Sequence, residues 1–161
     1  MIETFGKKNK KYFSFGFSVA EILTVSAIII IILLITAPII KNYLNNLDLT
    51  NSTKLLISNL KLAQQYTVTQ QLKHAIRMDI YSHTFYLVKK EPSEEILQTL
   101  NLDEKVIFES FTGIENNEVV YNPAGAVDFT GEINLKHQIT SNQTKVYIKP
   151  SGYVTWENLS P

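Results

Sequence analysis

The sequence predicts an α+β fold in which one long N-terminal helix, membrane-spanning in its first half, packs on an antiparallel β-sheet domain. Three observations predict this fold. A charge-free apolar segment lies near the N-terminus, a stripe of apolar residues at helical spacing follows it, and short alternating segments occupy the rest of the chain. A helix followed by a run of strands is typical of the α+β class.

The apolar segment runs from residue 22 to residue 40 without a charged residue, and residues 17–21 extend it to 24 residues. As a helix it would be about 36 Å long, enough to cross about 30 Å of bilayer hydrocarbon. Lysines are concentrated before it, and only Lys41 follows closely. This bias predicts a single-pass protein of the cell membrane with a cytoplasmic N-terminus and an extracytoplasmic C-terminal domain. An ordinary signal peptide is disfavoured, because the segment is too long and lacks a small-x-small cleavage site at its end.

Charge and cysteine content exclude several classes of function. The chain has 15 basic and 15 acidic residues, but residues 1–16 hold four lysines and one glutamate, which leaves 11 basic and 14 acidic residues in the remainder. A polyanion-binding surface over the whole domain is therefore disfavoured. The absence of cysteine excludes disulfides, thiolate zinc sites and thiol nucleophiles.

Residues 7–21 (KKNKKYFSFGFSVAE) resemble the processing site of type IV pilins and type II secretion pseudopilins. They contain a basic leader, then Gly16 and Phe17, and Glu21 as the fifth residue after the glycine. The resemblance implies that a prepilin peptidase cuts between Gly16 and Phe17 and methylates the new N-terminus of Phe17. It divides the chain into a leader (1–16), a transmembrane helix (17–43) and an extracytoplasmic pilin-like domain (44–161).

Glu21 is the predicted assembly residue. A carboxylate inside an apolar helix costs up to about 3 kcal/mol at the bilayer centre and less near its edge. After cleavage, the amino group of Phe17 would carry a positive charge one helical turn away. If that amine belonged to a neighbouring subunit, the attraction would align subunits into a filament. Stabilisation by the helix dipole is the alternative explanation for this glutamate.

The helix is expected to continue beyond the span to about residue 72. Its amphipathic half carries a stripe with steps of 7, 4, 3 and 4 residues that is predicted to pack as core: Leu49, Leu56, Leu60, Ala63 and Thr67. The sequence leaves open an interruption around Asn45 and Asn46. Pro38 removes one backbone hydrogen bond, so a kink or a locally loosened helix is expected there.

Period-two alternation predicts the strands. Their expected ranges are residues 74–80, 84–89, 94–100, 106–111, 119–122, 133–138, 144–149 and 153–157. The segment 94–100 is ambiguous between a strand and a short helix, and the strand is favoured.

Two further stretches of sequence make the resemblance more specific, to particular classes of pseudopilin. Residues 56–72, and then 121–135 with 145–153, resemble the GspH/FimT class of minor pseudopilins and the ComGD-type competence pseudopilin of Gram-positive bacteria. This implies a minor structural subunit of a type IV or competence pilus involved in DNA uptake. The implied partners are other pilins, prepilin peptidase and a membrane assembly platform. A type II secretion pseudopilin and a signal-anchored surface binding protein that does not assemble remain the alternatives.

No enzymatic site, cofactor or metal site is predicted. The sequence has no phosphate loop or nucleophile elbow, and its three histidines lack the spacing of metal ligands: His74, His83 and His137.

Direct DNA contact is considered only at Lys136, Lys145 and Lys149, which alternate with aromatic residues. Such a mixture is also typical of an exposed sheet face, so an indirect relation to nucleic acid is expected.

Overall fold

The structure is a computed structural model that describes residues 18–159. Helix α1 spans Val19–Gln70 and is followed by eight strands. These are β1 (His74–Asp79), β2 (Thr84–Lys89), β3 (Glu95–Asn101), β4 (Val106–Thr112), β5 (Glu118–Tyr121), β6 (Gly131–His137), β7 (Gln143–Ile148) and β8 (Val154–Leu159). A short 3₁₀ turn, Glu115–Asn117, precedes β5. The predicted order of one long helix and then strands is confirmed, and the ambiguous segment 94–100 is a strand.

The strands form two antiparallel four-stranded sheets. The first has the order β3-β2-β1-β5 and the second β4-β6-β7-β8. Hairpins connect β1 with β2, β6 with β7 and β7 with β8 in unbroken register. Strand β5 instead pairs with β1, so His74 lies directly opposite Tyr121.

The chain divides into two compact units between Ile39 and Ile40. In the second unit, the end of α1 packs on the sheets through the predicted stripe, and all five of its residues are buried. Leu56, Leu60 and Ala63 share one core with residues of both sheets, among them Phe85, Ile76, Phe108, Ile133 and Val146. The amphipathic helix is therefore the cover that the strands require to bury their inner faces.

Helix α1 is not interrupted at Asn45 and Asn46. Asparagine is unfavourable within a helix because its side chain competes for nearby backbone groups. Here both residues are held by contacts with the rest of the domain. Asn45 is buried, and Asn46 accepts a hydrogen bond at 2.6 Å from the side-chain amide of Asn142, which precedes β7. The helix therefore continues through the pair.

Two of the three histidines are fully buried on strands. The Nδ1 atom of His74 lies 2.9 Å from the carbonyl oxygen of Leu72, and Nδ1 of His137 accepts from the N–H groups of Ile139 and Thr140. Residues 18–159 contain no group of three or more His, Asp or Glu side chains arranged to hold a metal ion. These two histidines therefore serve the packing of the strands and the turns beside them.

Candidate assembly site at the start of helix α1

Glu21 lies in the first turn of α1, where its carboxylate caps the helix. Glu21 Oε2 accepts a hydrogen bond from the backbone N–H of Ser18 at 2.9 Å. Ser18 Oγ in turn accepts from the N–H of Ala20 at 3.3 Å. This arrangement is a variant of the capping box: the glutamate reaches back to the serine N–H three residues earlier, while the serine oxygen accepts from Ala20 instead of Glu21. Both bonds satisfy N–H groups that have no partner within the helix.

The capping box fixes where the carboxylate lies along the chain. Its acceptor atom is bound to the amide of Ser18, the residue directly after Phe17. Gly16 and Phe17, the two predicted processing residues, lie outside the described residues. Glu21 was predicted from the sequence and Ser18 was not, although the spacing Ser-x-x-Glu before an apolar run is itself a signature of a helix start.

The helix that follows the capping box is apolar and exposed. Its N-terminal part is long and apolar enough to cross a membrane, and none of its most apolar stretch is buried. From Ile28 to Ile35 each apolar side chain is at least half exposed. An apolar surface this large marks contact with lipid or with other proteins. One N-terminal helix could therefore anchor the chain in a membrane.

Polar groups in this apolar helix are satisfied locally. The hydroxyl groups of Thr24, Ser26 and Thr36 donate to backbone carbonyl oxygens four residues earlier, at 2.8–2.9 Å. This is the arrangement that hydrocarbon requires, because a lipid tail offers no hydrogen bond. Helix α1 continues past Pro38, whose missing N–H leaves the carbonyl of Leu34 without its usual donor. The kink expected there stays a prediction.

Of the three lysines predicted as DNA contacts, Lys136 and Lys145 lie on the outward face of the second sheet, and Lys149 follows the end of β7. Lys136 forms an ion pair with Glu109 at 2.8 Å, and Lys145 forms one with Glu132 at 3.2 Å. The third, Lys149, lies 5.6 Å from the ring centroid of Tyr147.

The same face carries a third glutamate. Glu157 accepts a hydrogen bond from the Tyr147 hydroxyl, which raises the pKa of Tyr147 to about 12. Two of the three lysines thus have carboxylates as partners, which reduces the unpaired positive charge that phosphate binding uses.

Comparison with known proteins identifies the fold. The chain matches no protein-family model and no curated protein. It is similar to the solved structure of the minor pseudopilin EpsH from the Type 2 Secretion System of Vibrio cholerae, with a TM-score of 0.59 and 13% sequence identity over 69% of this chain and 97% of that chain.

A second similar structure is the type IV minor pilin FimU of Pseudomonas aeruginosa. Its TM-score is 0.56 at 11% identity, over 71% of this chain and 92% of that one. At such low identity the likeness concerns the fold alone. The chain has the pilin-like α+β fold, a long N-terminal helix packed on antiparallel sheets.

Proposed function

We propose that this chain is a minor pilin-like structural subunit and not an enzyme. It enters the membrane as a prepilin, is cut by prepilin peptidase between Gly16 and Phe17, is methylated at Phe17, and joins a filament through Glu21. The observation that carries the proposal is the hydrogen bond from the Ser18 amide to Glu21. It holds a carboxylate one residue from the position where cleavage would create a positively charged amine.

The energetics of Glu21 explain how it would act in assembly. Residues 19–40 would form a helix about 33 Å long, which matches the hydrocarbon thickness and leaves Glu21 near one membrane face. Its charge is partly compensated by the helix dipole and by the Ser18 amide. A neighbouring subunit's Phe17 amine adds a full opposite charge where water is scarce, so the attraction between subunits is stronger than it would be in water.

The filament that we propose is a type IV or competence pilus involved in DNA uptake. This choice rests on the resemblance of residues 56–72, 121–135 and 145–153 to ComGD-type and GspH/FimT-type subunits. The partners would be other pilins, prepilin peptidase and a membrane assembly platform. The N-terminus would be cytoplasmic and the domain after residue 43 extracytoplasmic. Because Lys136 and Lys145 are paired with glutamates, the role in DNA uptake is proposed to be indirect.

A type II secretion pseudopilus is the second candidate, because similarity to EpsH is as close as similarity to FimU. Deletion of the gene separates the two. Loss of transformation with unchanged protein secretion supports the competence pilus. Loss of secretion with unchanged transformation supports the pseudopilus.

The first experiment is mass spectrometry of the N-terminus of the protein from native membranes, with and without prepilin peptidase. We expect a peptide that starts at methylated Phe17 and that disappears in the peptidase mutant. An intact N-terminus at Met1 in both strains overturns the pilin pathway and leaves a signal-anchored surface protein.

Substitutions at Glu21 separate its charge from its capping role. Glu21→Gln keeps a hydrogen-bond acceptor for the Ser18 amide and removes the charge, whereas Glu21→Ala removes both. If charge drives assembly, both variants are absent from sheared filaments although they are processed normally. Ser18→Ala is the matched control, since it removes one cap but retains the carboxylate, and it should assemble. Normal incorporation of Glu21→Gln would contradict the charge mechanism.

A further inference from the structure

The two sheets have four edge strands, and contacts within the chain reach the outer sides of two of them. Beside β5, the N–H of Asp128 donates to the carbonyl oxygen of Val120 at 3.0 Å, so the following loop covers that edge. Beside β4, the N–H of Phe108 donates to Nδ1 of His83 in the turn between β1 and β2, at 3.4 Å. Within residues 18–159, the outer sides of β3 and β8 have no backbone partner.

The two open edges differ in how well they are protected. Strand β3 has a register shift against β2 between Leu87 and Val88, and Glu94 and Glu95 lie at its start. Irregularity and charge are common means of preventing a further strand from adding to an edge. Strand β8 has no register shift. It pairs with β7 through six consecutive residues, and Glu157 is its only charged residue.

The direction of the free backbone groups of β8 follows from its ladder. At the turn that begins the hairpin, the N–H of Lys149 donates to the carbonyl oxygen of Tyr153 at 2.9 Å. Hydrogen-bonded and non-hydrogen-bonded pairs alternate along two antiparallel strands. The backbone N–H and C=O groups of every second residue from Thr155 onward therefore form hydrogen bonds with β7. The residues of β8 whose N–H and C=O groups point away from β7 are then Val154, Trp156 and Asn158.

A cleft of about 240 Å³ adjoins the end of this free edge, between α1 and the strands β7 and β8. Among its lining residues are four carboxamides and two leucines: Asn46, Asn142, Gln143, Asn158, Leu49 and Leu159. The Asn46 and Asn158 side-chain oxygens already accept hydrogen bonds from Asn142 and Thr144, which leaves their N–H groups available. Among residues 18–159, no charged side chain lines the cleft. Its chemistry suits an uncharged group that both donates and accepts hydrogen bonds.

We propose that β8 and the adjoining cleft, together the β8 docking surface, bind an extended segment of another pilin-like subunit. The segment adds to β8 as a fifth strand and inserts an Asn, Gln, Ser or Thr side chain into the cleft. Main-chain hydrogen bonds to Trp156 and Asn158 supply affinity, and the cleft supplies specificity, as in other cases of strand addition. A charged side chain is rejected because it would be desolvated without a partner.

Two further observations favour a peptide as the occupant. The free N–H and C=O groups of Trp156 and Asn158 repeat at the spacing of a strand, which a sugar does not match. In the described part of the chain, the cleft lining also contains no aromatic ring against which a sugar could stack. The identity of the partner as a pilin-like subunit rests on the proposed function, whereas the strand-addition geometry does not.

The test uses photocrosslinking in the full-length chain in native membranes. The photoreactive residue p-benzoylphenylalanine replaces Trp156, whose side chain is 37% exposed. The matched control has the same replacement at Ile96 on β3, the other open edge, which is 53% exposed. We expect the Trp156 probe to crosslink to an uncharged, extended segment of another pilin-like subunit, about tenfold more efficiently than the Ile96 probe.

Substitutions at Asn158 then test the strand addition. Asn158→Pro removes an N–H group that points away from β7, so it removes no hydrogen bond of the β7–β8 ladder. We expect the crosslink at Trp156 to fall about tenfold, while Asn158→Ala, which keeps the backbone N–H, reduces it less. The Asn158→Ala variant keeps the test decisive if the proline variant does not fold, because loss of the side-chain amide alone must still weaken the crosslink.

Three results overturn the proposal: equal crosslinking at Trp156 and Ile96, a crosslink only to a second copy of this chain, or a crosslink unchanged in both Asn158 variants. The N-terminus of the same samples is determined in parallel. A chain that is processed at Phe17 and present in filaments, but that gives no Trp156 crosslink, overturns the docking surface alone. A chain that keeps Met1 overturns the proposed function whatever the crosslink.

Discussion

The side-chain amide of Gln64 donates to the carbonyl oxygen of Gly125 at 2.6 Å and to that of Ser151 at 3.2 Å. One residue of α1 thus ties together two loops that are far apart in sequence, the loop after β5 and the turn between β7 and β8. Ser151 also lies three residues before β8. The position of the β8 docking surface relative to the helix therefore depends on this contact.

Replacing Gln64 with leucine should lower the free energy of unfolding by about 1–3 kcal/mol, because the carbonyl oxygens of Gly125 and Ser151 lose their donor. Thermal or denaturant unfolding of the full-length chain in detergent measures the change. Gln65→Leu is the matched control, since Gln65 is the next residue of α1 and is exposed. Equal destabilisation by the two substitutions would show that the contact is unimportant.

The same contact explains why glycine is needed at position 152. A Cβ atom there would lie 2.2 Å from the carbonyl oxygen of Gly125 and 2.4 Å from Gln64 Nε2, and the backbone has φ of +77°. Gly152→Ala should therefore destabilise the fold by about 2 kcal/mol or more.

Gly125→Ala should cost less, although its φ is +83°, because the nearest atom to its added Cβ is Val68 Cγ2 at 3.2 Å. The exposed side chain of Val68 can shift by the few tenths of an ångström that this contact requires, whereas a backbone carbonyl 2.2 Å from an added Cβ atom must move much further. Melting temperatures of the two variants give the order directly, and a larger loss for Gly125→Ala would refute this account.

The sequence predicted the elements well because their signals are local. Leu56, Leu60 and Ala63 recur at helical spacing and all three are buried on the sheets. Alternating residues likewise predicted the strands, since the period of a strand is fixed by its backbone.

Long-range features could not be predicted in the same way. Nothing near His74 in the sequence indicates that it pairs with Tyr121, because strand pairing depends on contacts between distant segments. Similarly, Gln64 and Gln65 are the same residue type on the same helix, and only the fold gives one of them two carbonyl partners. At the candidate site, Glu21 was predicted from the resemblance of residues 7–21, whereas its partner Ser18 was missed although the Ser-x-x-Glu spacing is a local signal.

The buried stripe of α1 should dominate the stability of the second unit. Leu60 is fully buried in the core that both sheets share, so Leu60→Ala should cost about 2–5 kcal/mol. Leu55, five residues earlier on the same helix, is 37% exposed, and Leu55→Ala should cost much less. Unfolding in denaturant measures both. Similar losses would mean that the outward side of this helix is as tightly packed as the stripe.

Acid sensitivity should arise in part from the charged cluster that joins β1 and β5 to the connection between β2 and β3. The Glu94 carboxylate accepts hydrogen bonds from Lys90 at 2.8 Å and from Arg77 at 2.6 Å, and these bonds lower the pKa of Glu94 below its ordinary value of 4.5. Glu118 accepts from the same two cations and completes the cluster.

A carboxylate with a lowered folded-state pKa binds fewer protons in the folded than in the unfolded chain. Its stabilising contribution is therefore present above pH 4.5 and is lost as the pH falls through the folded-state pKa. Glu94→Gln should melt below the unmodified protein at pH 7, and the difference should shrink as the pH falls below 4.5. Glu95→Gln is the control, because Glu95 forms no ion pair within residues 18–159. A pH-independent difference for Glu94→Gln, or the same pH-dependent difference for Glu95→Gln, would mean that the Glu94 ion pairs do not govern acid sensitivity.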